Sequence, residues 1–399
     1  MSDAAVTPRH TVDVVEAVRA AEADGVALRI AAGGTWLDAG RPVDGGGRVV
    51  RRLDVGAMAG IVEYVPGDLT LTARAGTTLA EIEEATRPHG QWLPLDPYAA
   101  PSATLGATLA TASWGTLAGS NGLPRDLTIG VEFVDGRGMV VRGGGRVVKN
   151  VAGFDLVRLT IGAWGTLGVL TEVSVRLRAR PMAECTMALE LPRSPEALAP
   201  FLLALRTAPL TPLAMELVDA ALARAAGIGE ADLVLVRLTG NAAALGAQRR
   251  VVASLGTARE VGDDCWRALA RALSADAWTV RLSQRPSRLA PLWHETTARA
   301  LDLRGGWRQG SVERGIVRLV VPAHEGGALA GLLASLGERW TVVGERLPAD
   351  AWHAVPVAGT DRLSASIRRA FDPLQLLNPG VLGHARPTSA PLHLSPRSA

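Results

Sequence analysis

Apolar residues recur about every three positions between Thr11 and Asp24, the spacing of one face of an α-helix. A short apolar run, Ala27 to Ala32, follows and stops at a glycine turn, which is typical of a buried strand. A further strand is predicted from Asp68 to Ala73, and a helix from Leu79 to about Thr86. Thr78 is the expected N-cap of that helix, because its hydroxyl can accept a hydrogen bond from the first turn.

Later apolar runs predict strands at Thr128–Val134, Met139–Arg142 and Leu167–Leu177. The turn between the first two, Asp-Gly-Arg-Gly at 135–138, is typical of a β-hairpin. The sequence contains no internal repeat that we detect.

From about Pro181 the chain becomes rich in alanine and leucine at helical spacing, with strands expected at Leu233–Leu238 and Ile316–Val321. We therefore place a domain boundary near Pro181. The expected organisation is a first domain at 1–181, a second at 182–360, a carboxy-terminal segment at 361–382 and a flexible tail at 383–399 that is rich in Pro and Ser.

The composition limits the possible classes of protein. A chain of 399 residues has room for two or three domains, and 48% hydrophobic with 20% charged residues is typical of a globular protein. Two cysteines, Cys185 and Cys265, are too few for a disulfide framework or for an iron–sulfur cluster held by this chain alone. The sequence shows neither a membrane-spanning run nor a secretory signal, so we expect a reducing, cytoplasmic setting.

The formal net charge of +3 does not point to nucleic acid. The positive charges are spread along the chain, almost all of them on arginine, with few aromatic residues that could stack on bases. Lys149 is the only lysine, so a special role for a compact ammonium group is one hypothesis there; a solvated surface charge is the alternative.

Two segments resemble phosphate-binding loops. The turn from Ala32 to Trp36 contains paired glycines whose N–H groups can converge on a phosphate, with the hydroxyl of Thr35 as a further donor. From Pro101 to Thr108, Ser102 or Thr104 can cap a short helix that faces a pyrophosphate. An ordinary tight turn and a capped core helix are the alternatives, although the two loops together favour a bound dinucleotide.

The surrounding sequence supports close approach of the backbone to a large ligand. Between Pro97 and Pro124 there is no charged side chain, and most residues are small or polar. The stretch from Gly162 to Val169 places three glycines before a strand, which fits a chain that passes beneath a planar ligand. A simple junction between a loop and a strand is the alternative for the second stretch.

Motifs for catalysis are absent from the sequence. The histidines form no metal-binding pair, and there is neither a nucleophile elbow nor a Cys–His signature. Arg281 and Arg285 are candidates to clamp a substrate carboxylate, with a surface role as the alternative for each.

Taken together and in order, these segments resemble the FAD-binding family typified by vanillyl-alcohol oxidase and p-cresol methylhydroxylase. The resemblance rests on GGT, ATLGA, RD, VVKNVAGFDL, GTLGV and FDPxxxLNPG, which begin at positions 33, 103, 125, 147, 165 and 371. Within that family, the VKNVAGFDL segment is most similar to the FAD-binding E subunits of bacterial glycolate oxidases.

The resemblance implies an α+β fold: a PCMH-type FAD-binding domain of two subdomains, then an α+β cap domain that serves the substrate or a subunit interface. The segment at 361–382 would return to the FAD domain. The cofactor-binding residues that the match implies are Ala32, Gly33, Gly34, Thr35, Trp36, Pro101, Ser102, Ala103, Thr104, Leu105, Gly106, Ser113, Gly115, Arg125, Asp126, Lys149, Asn150, Gly165, Thr166, Leu167, Gly168 and Val169.

The sequence departs from the family at several positions. Ala107 replaces a glycine, so we expect a slightly wider approach at that turn, and Phe154 replaces a tyrosine. Trp114 is bulky in a segment expected to be small. Covalent members attach the flavin through a histidine; Thr35 and Trp36 stand near that position, so we expect non-covalent FAD.

The implied function is a FAD-binding subunit of a glycolate or other 2-hydroxy-acid dehydrogenase complex. The flavin would take a hydride or relay electrons, and a second flavoprotein and an iron–sulfur subunit would be separate chains, through which the complex could associate with a membrane. One alternative is a self-sufficient FAD dehydrogenase of another hydroxy acid or alcohol. The other is a structural subunit whose flavin pocket has degenerated, with Ala107 and Trp114 as its supporting features.

Overall fold

The computed structural model describes residues 5–35, 37–97, 102–145, 155–272, 277–300, 306–322, 326–337, 339–356 and 361–383. Of the residues singled out in the sequence, Trp36, Pro101, Lys149, Asn150 and Phe154 lie outside the described residues, as does the expected tail beyond Gly383.

Within those ranges the chain forms a mixture of helices and strands. The helices are α1 Thr11–Asp24, α2 Leu79–Thr86, α3 Leu105–Ala110, α4 Ala118–Asn121, α5 Pro124–Leu127, α6 Leu156–Thr160, α7 Pro195–Thr207, α8 Ala220–Ala225, α9 Ala242–Ser254, α10 Asp264–Arg271, α11 Leu289–Ala300, α12 Gly326–Gly337 and α13 Arg362–Phe371.

The strands are β1 Ala27–Ala31, β2 Val50–Asp54, β3 Ile61–Val65, β4 Thr70–Arg74, β5 Gln91–Trp92, β6 Thr128–Val134, β7 Val140–Gly144, β8 Val169–Arg176, β9 Arg178–Ala179, β10 Ala183–Glu190, β11 Pro212–Val218, β12 Leu233–Gly240, β13 Ala258–Val261, β14 Ala277–Ser283, β15 Trp307–Ser311, β16 Ile316–Pro322 and β17 Thr341–Arg346.

The strongest sequence patterns are confirmed with the bounds that they predict. Helices α1 and α2 and strand β6 span the predicted residues. Thr78 caps α2: its hydroxyl accepts a hydrogen bond from the N–H of Glu81 at 3.1 Å, and the Glu81 carboxylate accepts one from the N–H of Thr78 at 2.7 Å. This reciprocal pair satisfies two amide groups of the first turn.

Other boundaries differ from the sequence prediction for local reasons. Strand β4 begins at Thr70 instead of Asp68, because Pro66–Asp68 forms a 3₁₀ turn and Leu69 is left-handed, with φ of +54°. Strand β8 begins at Val169 because the residues before it remain in the loop. Strands β2 and β3 were not predicted, since charged residues interrupt their short apolar patterns.

The amino-terminal half contains two sheets. Strands β1 and β2 pair in parallel, and α1 packs on them through Val14 and Val18. An antiparallel sheet of the order β3-β4-β8-β6-β7 lies beside them, and its core includes Leu71, Ile82 and Phe133. The short pair β5 and β9 leads out of this half.

The second half is one antiparallel sheet of the order β13-β10-β12-β11-β15-β16-β14-β17 among the described residues. It consists of two units with the same topology, β10–β13 and β14–β17. If the four strands of each unit are numbered along the chain, they lie in the sheet in the order 4-1-3-2 in β10–β13 and in the reverse order in β14–β17. This is the ferredoxin-like arrangement. The units meet where β11 pairs with β15, and Pro181, the boundary that we propose, lies in the connection between the two halves.

One face of this sheet is apolar, and the other carries charged residues together with a smaller apolar cluster that packs against α8 and α10. Helices α7, α9, α11 and α12 cover the apolar face, whose core includes Leu217, Val280 and Leu319. At alternate positions the strands carry Arg281 and Arg318 on the opposite face. Because α4 contacts β11 on this side, the charged face is turned towards the amino-terminal half.

The carboxy-terminal segment returns to β1. Leu28 and Leu377 form a parallel bridge, and the N–H of Asn378 donates to the carbonyl of Leu28 at 2.9 Å. The side chain of Asn378 accepts a hydrogen bond from the N–H of Ile30 at 2.8 Å and donates one to the carbonyl of Trp164 at 2.7 Å. A single amide thus joins three segments that are far apart in the sequence.

None of the helices in the described ranges combines the length and the apolar character that a bilayer crossing requires.

Replacing Asn378 by Ala is expected to lower the free energy of unfolding by roughly 2–3 kcal/mol, because two partly buried backbone groups lose their partners. Thermal unfolding of the variant measures the effect. Asn121→Ala is the control: its amide bonds only to the neighbouring Ser120, so we expect a change within about 0.5 kcal/mol. Equal shifts for the two variants would contradict the role given to Asn378.

Candidate cofactor-binding site

A cavity of about 630 Å³ lies where β1, β2 and α3 meet the loop before β8. Its volume is within the range of small-molecule sites. Residues 37–43 form one wall, and Leu347 and Trp352 of the second half close it from the other side. The cavity therefore lies between the two halves of the chain.

The glycine turn after β1 borders this cavity. Ala32, Gly34 and Thr35 line it. Gly34 has a φ of +73° and open space around the position of a Cβ, so the backbone is exposed to the cavity. Within the described residues, the N–H groups of Gly33, Gly34 and Thr35 donate no hydrogen bond to protein atoms. Such a row of amide donors is suited to an anion.

Helix α3 provides the opposite border. The hydroxyl of Thr104 caps it and accepts from the N–H of Ala107 at 3.4 Å. A Cβ on Gly106 would lie 2.6 Å from the Cβ of Ala75, so glycine lets the helix contact the end of β4. The next residue, Ala107, lines the cavity and is not part of this contact between Gly106 and Ala75. The close approach thus depends on Gly106, and the methyl group of Ala107 reduces the cavity without filling it.

Two of the predicted residues before β8 also line the cavity, namely Gly165 and Gly168. They are joined there by Trp164, whose carbonyl is held by Asn378. The loop is therefore fixed to the carboxy-terminal segment, and Asn378 itself lines the cavity.

Several predicted residues lie close to the cavity but contribute through packing or capping. Gly33 packs against the carbonyl oxygen of Ser102: a Cβ added to Gly33 would lie 3.0 Å from that oxygen. The carbonyl of Ala103 accepts from the N–H of Leu79, and Leu105 and Val169 are core residues. The following predicted residues do not line the cavity: Gly33, Ser102, Ala103, Thr104, Leu105, Ser113, Gly115, Thr166, Leu167 and Val169.

Arg125 and Asp126 lie away from the cavity. Their side chains are about half exposed and form an ion pair at 3.8 Å. Asp126 accepts a hydrogen bond from the N–H of Leu123 at 2.8 Å, which caps the start of α5. In this structure the Arg-Asp motif therefore has a local structural role, and its implied contact with a cofactor is not present in the described cavity.

The sequence interpretation missed the arginines of the cavity wall, Arg29, Arg41 and Arg52. Arg41 donates to the carbonyls of Trp352 and Val355 at 2.9 and 2.7 Å. Arg29 stands inside the short apolar strand β1, and a charge in such a run is the signal that could have identified it. Arg52 lies in β2, where three of the five residues are charged, so its sequence gives no such signal.

The charges of the lining match an anionic ligand. Asp38, the acidic residue of the lining, is paired with Arg346 at 2.9 Å, and Arg52 is paired with Asp54 at 2.6 Å, which leaves Arg29 and Arg41 without a carboxylate partner among the described residues. The Nε of Arg52 is buried and has no hydrogen-bond acceptor among the described residues. An amide row and arginines around a long cavity fit the pyrophosphate of a dinucleotide.

A second polar cluster lies beside the cavity, where the segment after α3 meets the charged face of the large sheet. Trp114 is 8% exposed, and its ring faces Arg281, Arg314 and Arg318 at 5.4, 5.9 and 5.8 Å from the guanidinium carbons. Gly115 beside it packs against Asp96, which accepts hydrogen bonds from Thr116. The bulk of Trp114 is therefore accommodated outside the cavity.

Buried acids accompany this cluster. Burial raises the pKa of Asp96 to about 6, although hydrogen bonds from Thr116 and Leu117 oppose the shift. Burial likewise raises the pKa of Glu313 to about 7 and that of Glu216 well above its usual value. Glu216 accepts a hydrogen bond from Gln309 at 3.0 Å. Burial at the interface between the halves thus favours the protonated form of these carboxyl groups.

Comparison with known proteins identifies the ligand class. Residues 2–144 match the family model described as a FAD binding domain. This part of the chain is similar to FAD-binding domains. The chain is also 40% identical over 179 residues to glycolate oxidase subunit GlcE of Escherichia coli, and 32% identical over 188 residues to glycolate oxidase subunit GlcD of Bacillus subtilis.

These alignments cover 45% and 47% of this chain and span about half of GlcE and 39% of GlcD. The fold extends further than the sequence similarity. A structure of p-cresol methylhydroxylase with substrate bound superposes with a TM-score of 0.74 at 17% identity, covering 95% of this chain and 88% of that one. The expected α+β, PCMH-type fold is therefore confirmed, and the FAD-binding domain keeps FAD as its cofactor.

Replacing Ala107 by Trp is expected to weaken FAD binding at least about tenfold, because the indole would occupy the cavity at α3. The flavin absorbance retained by the purified variant, and titration with added FAD, measure the effect. Ala243→Trp, on the exposed side of α9, is the control and should bind FAD as the original protein does. Unchanged FAD affinity in Ala107→Trp would contradict the assignment of the cavity.

Replacing Glu313 by Gln is expected to make stability less sensitive to a rise in pH from about 5 to 8. The raised pKa of Glu313 means that the folded protein binds a proton which the unfolded chain releases, so stability is lost as pH rises from about 4.5 through 7. The uncharged glutamine side chain causes no such loss. Relative to the original protein, the variant should gain up to roughly 2–3 kcal/mol between pH 5 and 8.

Thermal unfolding across this pH range tests the effect of Glu313→Gln. Glu230→Gln, at an exposed position, serves as the control and should follow the original protein at every pH. A constant difference between Glu313→Gln and the original protein would show that Glu313 ionises equally in both states.

Proposed function

We propose that this chain is the FAD-binding subunit of a glycolate or related 2-hydroxy-acid dehydrogenase complex. The similarity to two glycolate oxidase subunits supports the assignment. The observation that carries it is the cavity in the FAD-binding domain, with its amide row after β1 and its three arginines.

The residues of the cavity account for tight binding of the cofactor. The amides of Gly34 and Thr35 and the guanidinium groups of Arg29 and Arg52 would hold its phosphates. Gly106 and Gly168 let the cavity walls pack closely against Ala75 and Phe133 behind them. When bound, FAD supplies a two-electron acceptor that can pass electrons on singly.

We propose that the FAD is bound without a covalent link. Among the described residues that line the cavity there is no histidine, cysteine or tyrosine to which a flavin could be attached. Retention of the cofactor then depends on the shape of the cavity and on its charges, so the flavin can be released by denaturation.

Substrate oxidation also needs a base and a carboxylate-binding group directed at the flavin. Asp38, the carboxylate of the described lining, is held by Arg346 and is not available as a base. We therefore propose that a second flavoprotein subunit and an iron–sulfur subunit complete the assembly, and that this chain relays electrons within it.

Two alternatives remain for comparison. A self-sufficient FAD dehydrogenase is favoured by the arginines around Trp114, which offer positive charge beside the cavity. The hypothesis of a structural subunit with a degenerate pocket was suggested by Ala107 and Trp114. Neither residue supports it, because Ala107 leaves the cavity open and Trp114 lies outside the cavity lining.

An absorption spectrum of the purified chain, recorded before and after acid precipitation, tests the proposal. We expect the two-band flavin spectrum before precipitation and free FAD in the supernatant afterwards, since no covalent link is present. Flavin that stays with the precipitate would contradict non-covalent binding. A colourless chain that also fails to take up added FAD would contradict the proposed function.

Turnover of glycolate with an artificial electron acceptor separates the two enzyme hypotheses. The isolated chain should be inactive, and activity should appear when the partner subunits are added. Activity of the isolated FAD-loaded chain would favour the self-sufficient dehydrogenase.

A further inference from the structure

Arg281, Arg318 and Glu345 form an ion-paired group on the charged face of the large sheet. Arg281 of β14 lies directly opposite Arg318 of β16 in the antiparallel register. Arg318 donates from Nε and Nη2 to the two carboxylate oxygens of Glu345 at 2.6 and 2.8 Å. Arg281 reaches the same carboxylate at 3.6 Å. One carboxylate is therefore shared by two guanidinium groups.

A β-bulge in β17 determines which face of the sheet the Glu345 side chain lies on. The register between β14 and β17 shifts between Thr279 and Val280, which pair with Arg346 and Gly344. Glu345 is the extra residue of the bulge, so it and Arg346 both face the amino-terminal half. Arg346 pairs there with Asp38, and Glu345 pairs with the arginines.

The group is shielded from water. The side chains of Arg318 and Glu345 are 4% and 11% exposed, and Trp114 covers the guanidinium groups from the other side. Burial raises the pKa of Glu345, but Arg318 and Arg281 outweigh this effect and hold it below the usual value. Glu345 is therefore an anion at neutral pH, bound as a substrate carboxylate would be bound by two arginines.

This group also adjoins the FAD cavity. The carbonyl of Glu345 accepts a hydrogen bond from the N–H of Gly40 at 2.8 Å, and Gly40 lines the cavity. Leu347, two residues further along, lines it too. The group thus lies next to the cavity wall, and the chain's own carboxylate occupies the position between the two guanidinium groups.

We propose that Glu345 is a built-in carboxylate that keeps Arg281 and Arg318 closed to external carboxylates, so that 2-hydroxy acids do not bind beside the FAD of this subunit. The inference rests on the proposed function and specifies it: Glu345 determines that this subunit does not take the substrate itself. Removal of the Glu345 carboxylate converts the group into a site for small carboxylates.

The side chain itself suggests the probe. The atoms lost in Glu345→Ala are those of an acetate ion, and glycolate is acetate with one added hydroxyl group. Acetate and glycolate should therefore bind to Glu345→Ala and raise its Tm, by about 2 °C at ten times the dissociation constant. The original protein should show no saturable response to either anion, compared with chloride at equal ionic strength.

Two variants serve as controls. Glu345→Gln removes the same charge but keeps the volume filled, so it should respond to neither anion. Glu184→Ala removes the equivalent partner of Arg237, at 2.7 Å on the other unit of the sheet, where a single arginine is left about 20% exposed. No carboxylate-dependent rise is expected there.

A saturable response of the original protein that equals that of Glu345→Ala would overturn the proposal, and so would the absence of any response in Glu345→Ala. If Glu345→Ala does not fold, the original protein decides: titration calorimetry with glycolate should show no binding, and anaerobic glycolate should leave its flavin oxidised. Binding or bleaching there would contradict the inference. Flavin absorbance of the same samples reports FAD binding separately, so a failure of the proposed function is recognised independently.

Discussion

The amide side chain of Asn378 is the interaction on which the rest of the site depends. It binds the backbone of Ile30 and of Trp164, and its own N–H binds Leu28. These contacts bring the strand before the glycine turn and the loop before β8 to the same carboxy-terminal segment. Without them the walls of the cavity would belong to separate parts of the chain, each free to move. The carboxy-terminal segment is therefore a structural part of the FAD-binding domain.

The second constraint is the charged face of the large sheet. A strand pattern that alternates apolar and charged positions would usually place the charges in water. Here they are buried against the amino-terminal half, where Arg318 and Arg346 find partners. Buried ion pairs contribute little net stability, since desolvation offsets the attraction between the charges. The Arg346–Asp38 pair joins the two halves and so helps to define their relative position beside the cavity.

The sequence was sufficient for the parts that depend on local interactions. Helices α1 and α2 follow from spacing and a capping pair, and the glycine turn was identified as part of a binding loop. The wall at 37–43 and the role of Arg41 could not be predicted, because their partners lie about three hundred residues away. The repeated topology of the large sheet was also hidden, since its two units share strand order without a repeat in sequence.

The hydrogen bond from Gly40 to Glu345 has a consequence beyond binding. Strand β17 is one end of the large sheet, and at Glu345 its outer backbone edge is occupied by a residue of the cavity wall. At the other end, β13 carries the charged residues Arg259 and Glu260, a common protection of open edges. Detachment of the cavity wall would expose β17 as a template for strand pairing between molecules. Self-association is therefore the failure to be expected when the cavity wall of this chain is poorly formed.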